Sequence, residues 1–265
     1  MNNPTKKPRI GLTFSGGGTR AVAQIGVLKA LRENDIRISA VAGNSGGSIV
    51  AALYAAGIET EKMLDLLKQN TLYKLYKFGM PSLGITTLDY LEKQLHELIP
   101  EDDFSALKIP LFITATNLIT GKQEVFSKGT IIRKISASCS IPLIFKPVEI
   151  DGQLYADGGM IDNMPAYTLK EDCDFVIGIN IMPQVEVPKE ELQSLLSIGM
   201  RTFDLMIYNN TKLSFAGCNV VIQPTEVYKY HIFNFDNFDE IFEIGYQAAL
   251  QQMPDIKRRI AMCKC

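Results

Sequence analysis

Ile38-Ser39-Ala40-Val41-Ala42-Gly43-Asn44-Ser45-Gly46-Gly47, followed by the apolar run Ile49 to Ala56, decides how this chain is read. The first five residues are short, apolar and strand-like, and the closing run has the composition of a buried helix. Between them stands G-x-S-x-G. Between a strand and a helix, that pentapeptide is a nucleophile elbow: a turn so tight that its glycines must lack side chains, with the serine held outward at the tip. Ser45 is thereby a candidate nucleophile at a helix N-terminus, where unpaired N–H groups and the positive end of the dipole meet developing negative charge. Taken alone, the pentapeptide also reads as a glycine-rich turn without chemistry.

Upstream, Ile10, Leu12 and Phe14 alternate with Gly11, Thr13 and Ser15 as a first strand. Gly16-Gly17-Gly18-Thr19-Arg20 follows, then a helix from about Arg20 to Glu33 whose apolar face is Val22, Ile25, Leu28 and Leu31. Consecutive glycines turn adjacent amides toward one point with no side chain in the way. Gly16, Gly17 and Gly18, with Gly46 behind Ser45, are the candidate oxyanion donors, and Arg20 either holds this loop or adds positive charge near it. Gly16, Gly18 and Ala21 also fit G-x-G-x-x-A, a dinucleotide fingerprint. That reading requires an acidic residue at the end of the second strand, where Ala42-Gly43-Asn44-Ser45 stands instead.

Downstream, the pattern predicts a helix over about Leu88 to Ile99, opened by Thr86 and Asp89 and stopped at Pro100. Leu111 to Thr116 reads as a buried strand, and Val148 to Tyr155 as a hairpin with a type I′ turn at Asp151-Gly152. Phe175 to Ile181 and Asn219 to Gln223 are further strands. Gly57 sits at a helix C-terminus, and Asn237 with Glu240 caps a last helix expected to end near Pro254. Tyr73 to Thr87 and Pro183 to Lys189 are loop-like. Strands alternating with helices imply an α/β fold with a central, mostly parallel sheet flanked by helices, in one domain spanning 1–265.

A serine nucleophile needs a base. The chain has 2 histidines, His96 in an amphipathic helix and His231 in an aromatic segment, and neither stands at a strand-to-loop corner. Asp157, in Asp157-Gly158-Gly159, is a carboxylate that glycines leave open to close approach. Partial burial would raise its basicity above the ordinary carboxylate, whose pKa is about 3.9. The competing reading of Asp157 is a turn-forming Asp-Gly.

Bulk properties narrow the classes. A formal net charge of -2 without a strongly basic run gives no reason to invoke nucleic acid. The 5 cysteines, without a C-x-x-C pair, read as reduced thiols of a cytoplasmic protein rather than a metal or disulfide framework. No long apolar run suggests a membrane span, and Met1 to Arg9 lacks a signal-peptide core. Leu72-Tyr73-Lys74-Leu75-Tyr76-Lys77-Phe78 reads either as a lipid-surface contact or as a helix end with solvated lysines.

Taken together, the sequence resembles the patatin-like phospholipase family, marked by a G-G-G-x-R/K segment, a G-x-S-x-G elbow and a later D-G-G/A. Here these are Gly16 to Arg20, Gly43 to Gly47 and Asp157 to Gly159; Ala137 to Pro147 and Asp162-Asn163-Met164-Pro165 are similar to the stretches around the family's aspartate. The likeness spans about 9–181, and 182–265 carries no recognised motif beyond a loosely similar last helix around Glu243-Ile244-Gly245-Tyr246. Asn44 stands where the family more often has Thr. The resemblance implies an acyl-ester hydrolase acting on lipids through a histidine-free Ser45–Asp157 dyad, with no metal or cofactor, in a three-layer fold. An acyltransferase using the same acyl-serine, a non-catalytic lipid-binding protein and a nucleotide-binding oxidoreductase are the alternatives. The implied partner is a lipid substrate, with transient contact to a membrane surface, and oligomeric state is not legible.

Overall fold

The computed structural model describes residues 7–68, 87–142, 144–233 and 236–263. Their strands are β1 (Ile10–Phe14), β2 (Ile38–Asn44), β3 (Leu111–Asn117), β4 (Lys122–Phe126), β5 (Val148–Ile150), β6 (Gln153–Asp157), β7 (Phe175–Ile179) and β8 (Val220–Ile222). They form one sheet in the order β5-β6-β3-β2-β1-β7-β8, with β4 paired to β3 off that path. β3, β2, β1, β7 and β8 run parallel, and the antiparallel pairs lie at the β3 end.

The helices are α1 (Val22–Glu33), α2 (Gly46–Ala55), α3 (Thr60–Lys68), α4 (Asp89–Leu98), α5 (Ile132–Cys139), α6 (Leu195–Ser214) and α7 (Phe238–Met262). Alternation along the strands divides the apolar side chains between two faces. Leu12, Phe14, Val41, Ile113 and Ile177 join the main core with α1, α2, α4 and α7. Ala40, Ala42 and Val176 point the other way and meet Cys173 and, on the short helical turn Ala166–Leu169, Ala166 and Leu169. The sheet is thus central and flanked by helices, as the alternating pattern implies.

The β3 edge positions the site. β4 pairs with Ile113–Asn117 on one edge of β3, so β2 and β6 must share the other. β2 takes the first part of that edge, ending at Asn44↔Thr114, and β6 takes the rest from Ala115↔Asp157 onward. Two strands arriving from opposite directions therefore end beside adjacent residues of β3.

Local signals behave as their chemistry dictates. Asp151 and Gly152 both have positive φ, at 50° and 74°, as a type I′ turn requires. Gly57, at φ 81°, donates to Tyr54 O while Ile58 donates to Leu53 O, the Schellman pair that closes α2. The last helix does not stop near Pro254: α7 continues to Met262. Pro254 is exposed, and the buried Met253 and Ile256 hold both sides of it against the core, so packing outweighs the one missing backbone bond. Asn237 takes the N-cap position, but its side chain donates to Glu240 (3.2 Å) rather than capping the backbone. The segment 69–86 lies outside the described residues, and with it Leu72 to Phe78 and nearly all of the loop-like Tyr73 to Thr87. Among the described residues no helix is long and apolar enough to cross a membrane, and no group of three or more His, Cys, Asp or Glu has metal-binding geometry.

Candidate active site

Ser45 occupies the turn between β2 and α2 with φ 51° and ψ -132°, backbone that side-chain-bearing residues avoid. The glycines around it are required by close approach: a Cβ on Gly43 would fall 2.6 Å from Gly47 O, and one on Gly47 would fall 2.5 Å from Ser15 O. Two hydroxyls brace the turn. Ser138 Oγ of α5 accepts from the Ser45 amide (2.8 Å), and Ser48 Oγ donates to Ser45 O (2.6 Å).

Asp157 ends β6, 3% exposed, and lines one small cavity together with Ser45. Asp157 Oδ1 accepts from the amide of Gly159 (2.8 Å) and from Asn44 Nδ2 (3.0 Å). Burial pushes the Asp157 carboxyl above its ordinary range, while the nearby Ser45 hydroxyl and these two donors pull part of the way back. Neither histidine joins them: His96 is exposed in the last turn of α4, and His231 is exposed and tilted against Phe233 (5.5 Å between rings).

Asn44 links the parts. Its Nδ2 donates to Asp157 and to Asn163 Oδ1 (3.0 Å), while its Oδ1 accepts from Ser138 Oγ (3.2 Å). Asn163, from the Asp162–Pro165 stretch, in turn accepts from the Gly16 amide with both its side-chain and its backbone oxygen (3.1 Å each), and its Nδ2 donates to Gly16 O (3.2 Å).

The glycine segment divides in two. The Gly16 amide is committed to Asn163 and is not available as an oxyanion donor. The amides of Gly17 and Gly18 take no partner among the described residues, and Gly46, the first residue of α2, has the unpaired amide of a helix start. Gly18 and Gly46 lie backbone to backbone, since a Cβ on Gly46 would fall 2.7 Å from Gly18 O. Arg20 does not face this cluster. Its buried guanidinium donates to Tyr230 O (2.8 Å), Tyr228 O (3.3 Å) and Met182 Sδ (3.4 Å), and lies 4.5 Å from the Tyr228 ring centre. With Thr19, whose amide and hydroxyl both donate to Ile232 O, it fastens 228–232 over the glycine loop. Its part is to hold the loop, because its donors are turned toward the C-terminal segment.

Ser45 stands between two cavities. One, of about 130 Å³, is lined by apolar side chains including Ile49, Val50, Leu88, Leu91, Ile141 and Phe238. The other, about 20 Å³, brings Gly16 to Gly18, Ser45 and Asp157 together with Asn163, Met182, Phe203, Asp204 and Ile207. Ile232 borders both. Met182, Phe203, Asp204, Ile207 and Ile232 were not visible in the sequence as site residues. They belong to the third of the chain without motifs, and only Ser194, a capping residue three positions before Ser197, signals that α6 begins there.

A family model described as patatin-like phospholipase matches residues 12–170. The chain belongs to the patatin-like phospholipase family. An uncharacterised NTE family protein of Mycobacterium tuberculosis is 34% identical over 163 residues, covering 61% of this chain and 45% of that protein. The lysophospholipase nte1 of Emericella nidulans is 24% identical over 280 residues, covering 94% of this chain and 18% of that protein. The chain therefore spans less than half the length of these relatives. Human GIVD cytosolic phospholipase A2, solved with methyl gamma-linolenyl fluorophosphonate, superposes with a TM-score of 0.59 at 11% identity, covering 99% of this chain and 60% of that one. VipD from Legionella pneumophila gives 0.55 at 17% identity, covering 94% and 67%. Those two likenesses are of fold.

Proposed function

We propose that this chain is a lipid acyl hydrolase working through a Ser45–Asp157 dyad without histidine. One observation carries the reading: a strained serine at a helix start shares a small cavity with a buried carboxylate and also borders an apolar cavity. The family and its lysophospholipase relative support a lipid ester as substrate.

Asp157 takes the proton as Ser45 Oγ attacks the ester carbonyl, with the acyl chain in the apolar cavity. Negative charge moves to the carbonyl oxygen, which the free amides of Gly17, Gly18 and Gly46 stabilise. Each such donor stabilises the transition state by about 3–4 kcal/mol. The tetrahedral adduct collapses and the alcohol leaves with the proton held by Asp157; water, deprotonated by Asp157, then attacks the acyl-serine, and Asp157 returns that proton to Ser45 Oγ as the fatty acid leaves. The raised basicity of a buried carboxylate suits this work better than that of an exposed one. The reading keeps one domain and a cytoplasmic setting, the latter on the odd count of 5 cysteines.

The test is product analysis by mass spectrometry on a panel of phospholipid, lysophospholipid and triacylglycerol. Free fatty acid released by the protein and not by Ser45→Ala is the expected result. Unchanged release by Ser45→Ala or Asp157→Asn ends the dyad reading, and transfer of the acyl group to an added alcohol in place of water identifies an acyltransferase.

A further inference from the structure

Leu195, Ile198, Leu205, Met206 and Leu213 are exposed at 89%, 48%, 38%, 46% and 73%, all on α6. At 100° per residue these five fall within an arc of about 100°, a single stripe along a helix roughly 30 Å long. Thr202 and Asn209, both exposed, fill the same arc. No charged side chain points out of it. Arg201 is turned to Val185 O (2.6 Å) and the Tyr228 hydroxyl (3.3 Å), and Asp204 faces the small cavity. An ordinary surface helix hides such a stripe in the core. Here the inward side already has its own contacts: Phe203 and Ile207 line the cavity, Asn210 donates to Met160 O (2.5 Å), and Ser214 hydrogen-bonds Asp162.

We propose that this outer face of α6 seats the protein on a phospholipid bilayer beside the mouth of its own site. The proposal rests on the lipid-hydrolase reading above for the identity of its partner. Three observations select a lipid surface. The helix that carries the stripe on one side borders Ser45 and Asp157 on the other, so insertion of the stripe brings the lipid reservoir alongside the cavity. The stripe ends in a tyrosine–lysine border: Lys212 lies 5.3 Å over the Tyr208 ring, and Lys170 lies 4.4 Å over that of Tyr167. Tyr167 is 48% exposed and flanks the turn after α6, where a Cβ on Gly217 would be 3.5 Å from its ring. Aromatic rings with lysines beside them suit the headgroup level, with apolar stems below and ammonium groups at the phosphates. Finally, the arc has no charged pair to set register against a second protein helix, which a bilayer does not require.

The test uses the full chain carrying Ser45→Ala, so that the lipid is not consumed, sedimented with phosphatidylcholine vesicles. Adding Ile198→Ser, Leu205→Ser and Met206→Ser together is expected to lower the vesicle partition coefficient by about tenfold or more. In the active chain the same three changes are expected to slow hydrolysis of vesicle lipid and leave a soluble short-chain ester untouched. Unchanged partition overturns the proposal. So does an equal loss on the soluble ester, which makes the face a structural support, or a dimer in light scattering that the triple variant dissociates. Persistent activity of Ser45→Ala would overturn the dyad reading alone, with vesicle partition still deciding the role of α6.

Discussion

Asn44 Nδ2 donates to Asp157 Oδ1 at 3.0 Å across 113 positions of sequence, so the residue that precedes Ser45 holds the carboxylate opposite it. The relationship follows from the sheet. β2 and β6 meet end to end on one edge of β3, and the last side chain of each reaches across the gap. Asn at this position supplies two donors and an acceptor, all of them used: Asp157 and Asn163 on one side, Ser138 on the other.

Asn44→Ala is expected to move the acid limb of the pH–activity profile upward. It removes one of the donors that oppose the burial-driven rise of Asp157. It also leaves the buried Ser138 hydroxyl without its acceptor and takes one of two donors from Asn163 Oδ1, at a cost of about 1–3 kcal/mol. Profiles of kcat/KM on a soluble ester, with denaturant melts alongside, check both. An acid limb that stays in place would show that Asn44 does not tune the carboxylate.

Asp157 makes activity and stability answer pH in opposite senses. Burial holds its folded pKa above the ordinary value of 3.8, so the folded state keeps the proton more tightly than the unfolded chain. Between those two values stability falls as pH rises and returns as pH falls, whereas the base is lost as pH falls. Asp157→Asn keeps an oxygen for Gly159 and Asn44 but never ionises. It is expected to lower hydrolysis by about 10²–10⁴-fold and to leave the thermal midpoint at pH 7 equal or higher. A midpoint well below that of the unaltered protein would mean that the carboxylate stabilises the fold, contrary to its burial.

The elbow, the glycine loop and the Asp-Gly-Gly corner were legible because each is forced by backbone geometry: Gly43 and Gly47 by close approach, Ser45 by its φ. The inner strands were legible from apolar runs. β4 was not, since Lys122-Gln123-Glu124 on an edge has no apolar face to alternate. α6 was not, since its apolar residues point both inward and outward and blur the helical period. Arg20 could be assigned either of two parts from sequence; the choice needed Tyr228 and Tyr230, more than 200 positions away.

Arg20 fastens the C-terminal segment to the glycine loop through directional donors, so charge alone cannot replace it. Arg20→Lys presents a single ammonium to acceptors that a planar guanidinium meets from several sides. Both Arg20→Ala and Arg20→Lys are expected to lose stability, about 1.5–3 kcal/mol for each charged hydrogen bond removed. Fluorophosphonate labelling of Ser45 should slow in both, because Ile232 borders the two cavities. Full rescue by Lys would mean that the position requires only a cation.

Gly245 reverses the usual sign of a helix substitution. In a helix interior Ala is better than Gly by about 1 kcal/mol. In α7, however, a Cβ at Gly245 would overlap the backbone carbonyl of Ala23 in α1, and one at Gly26 of α1 would overlap the carbonyl of Phe242. Neither obstacle is a flexible side-chain end, so the two helices must separate to admit a methyl group. Gly245→Ala is therefore expected to destabilise by about 1–3 kcal/mol. Activity per folded molecule should persist, since α7 reaches the apolar cavity only through Phe238 among the described residues. Calorimetric midpoints decide the matter: a higher midpoint for Gly245→Ala would show that the α1–α7 crossing is looser than these contacts require.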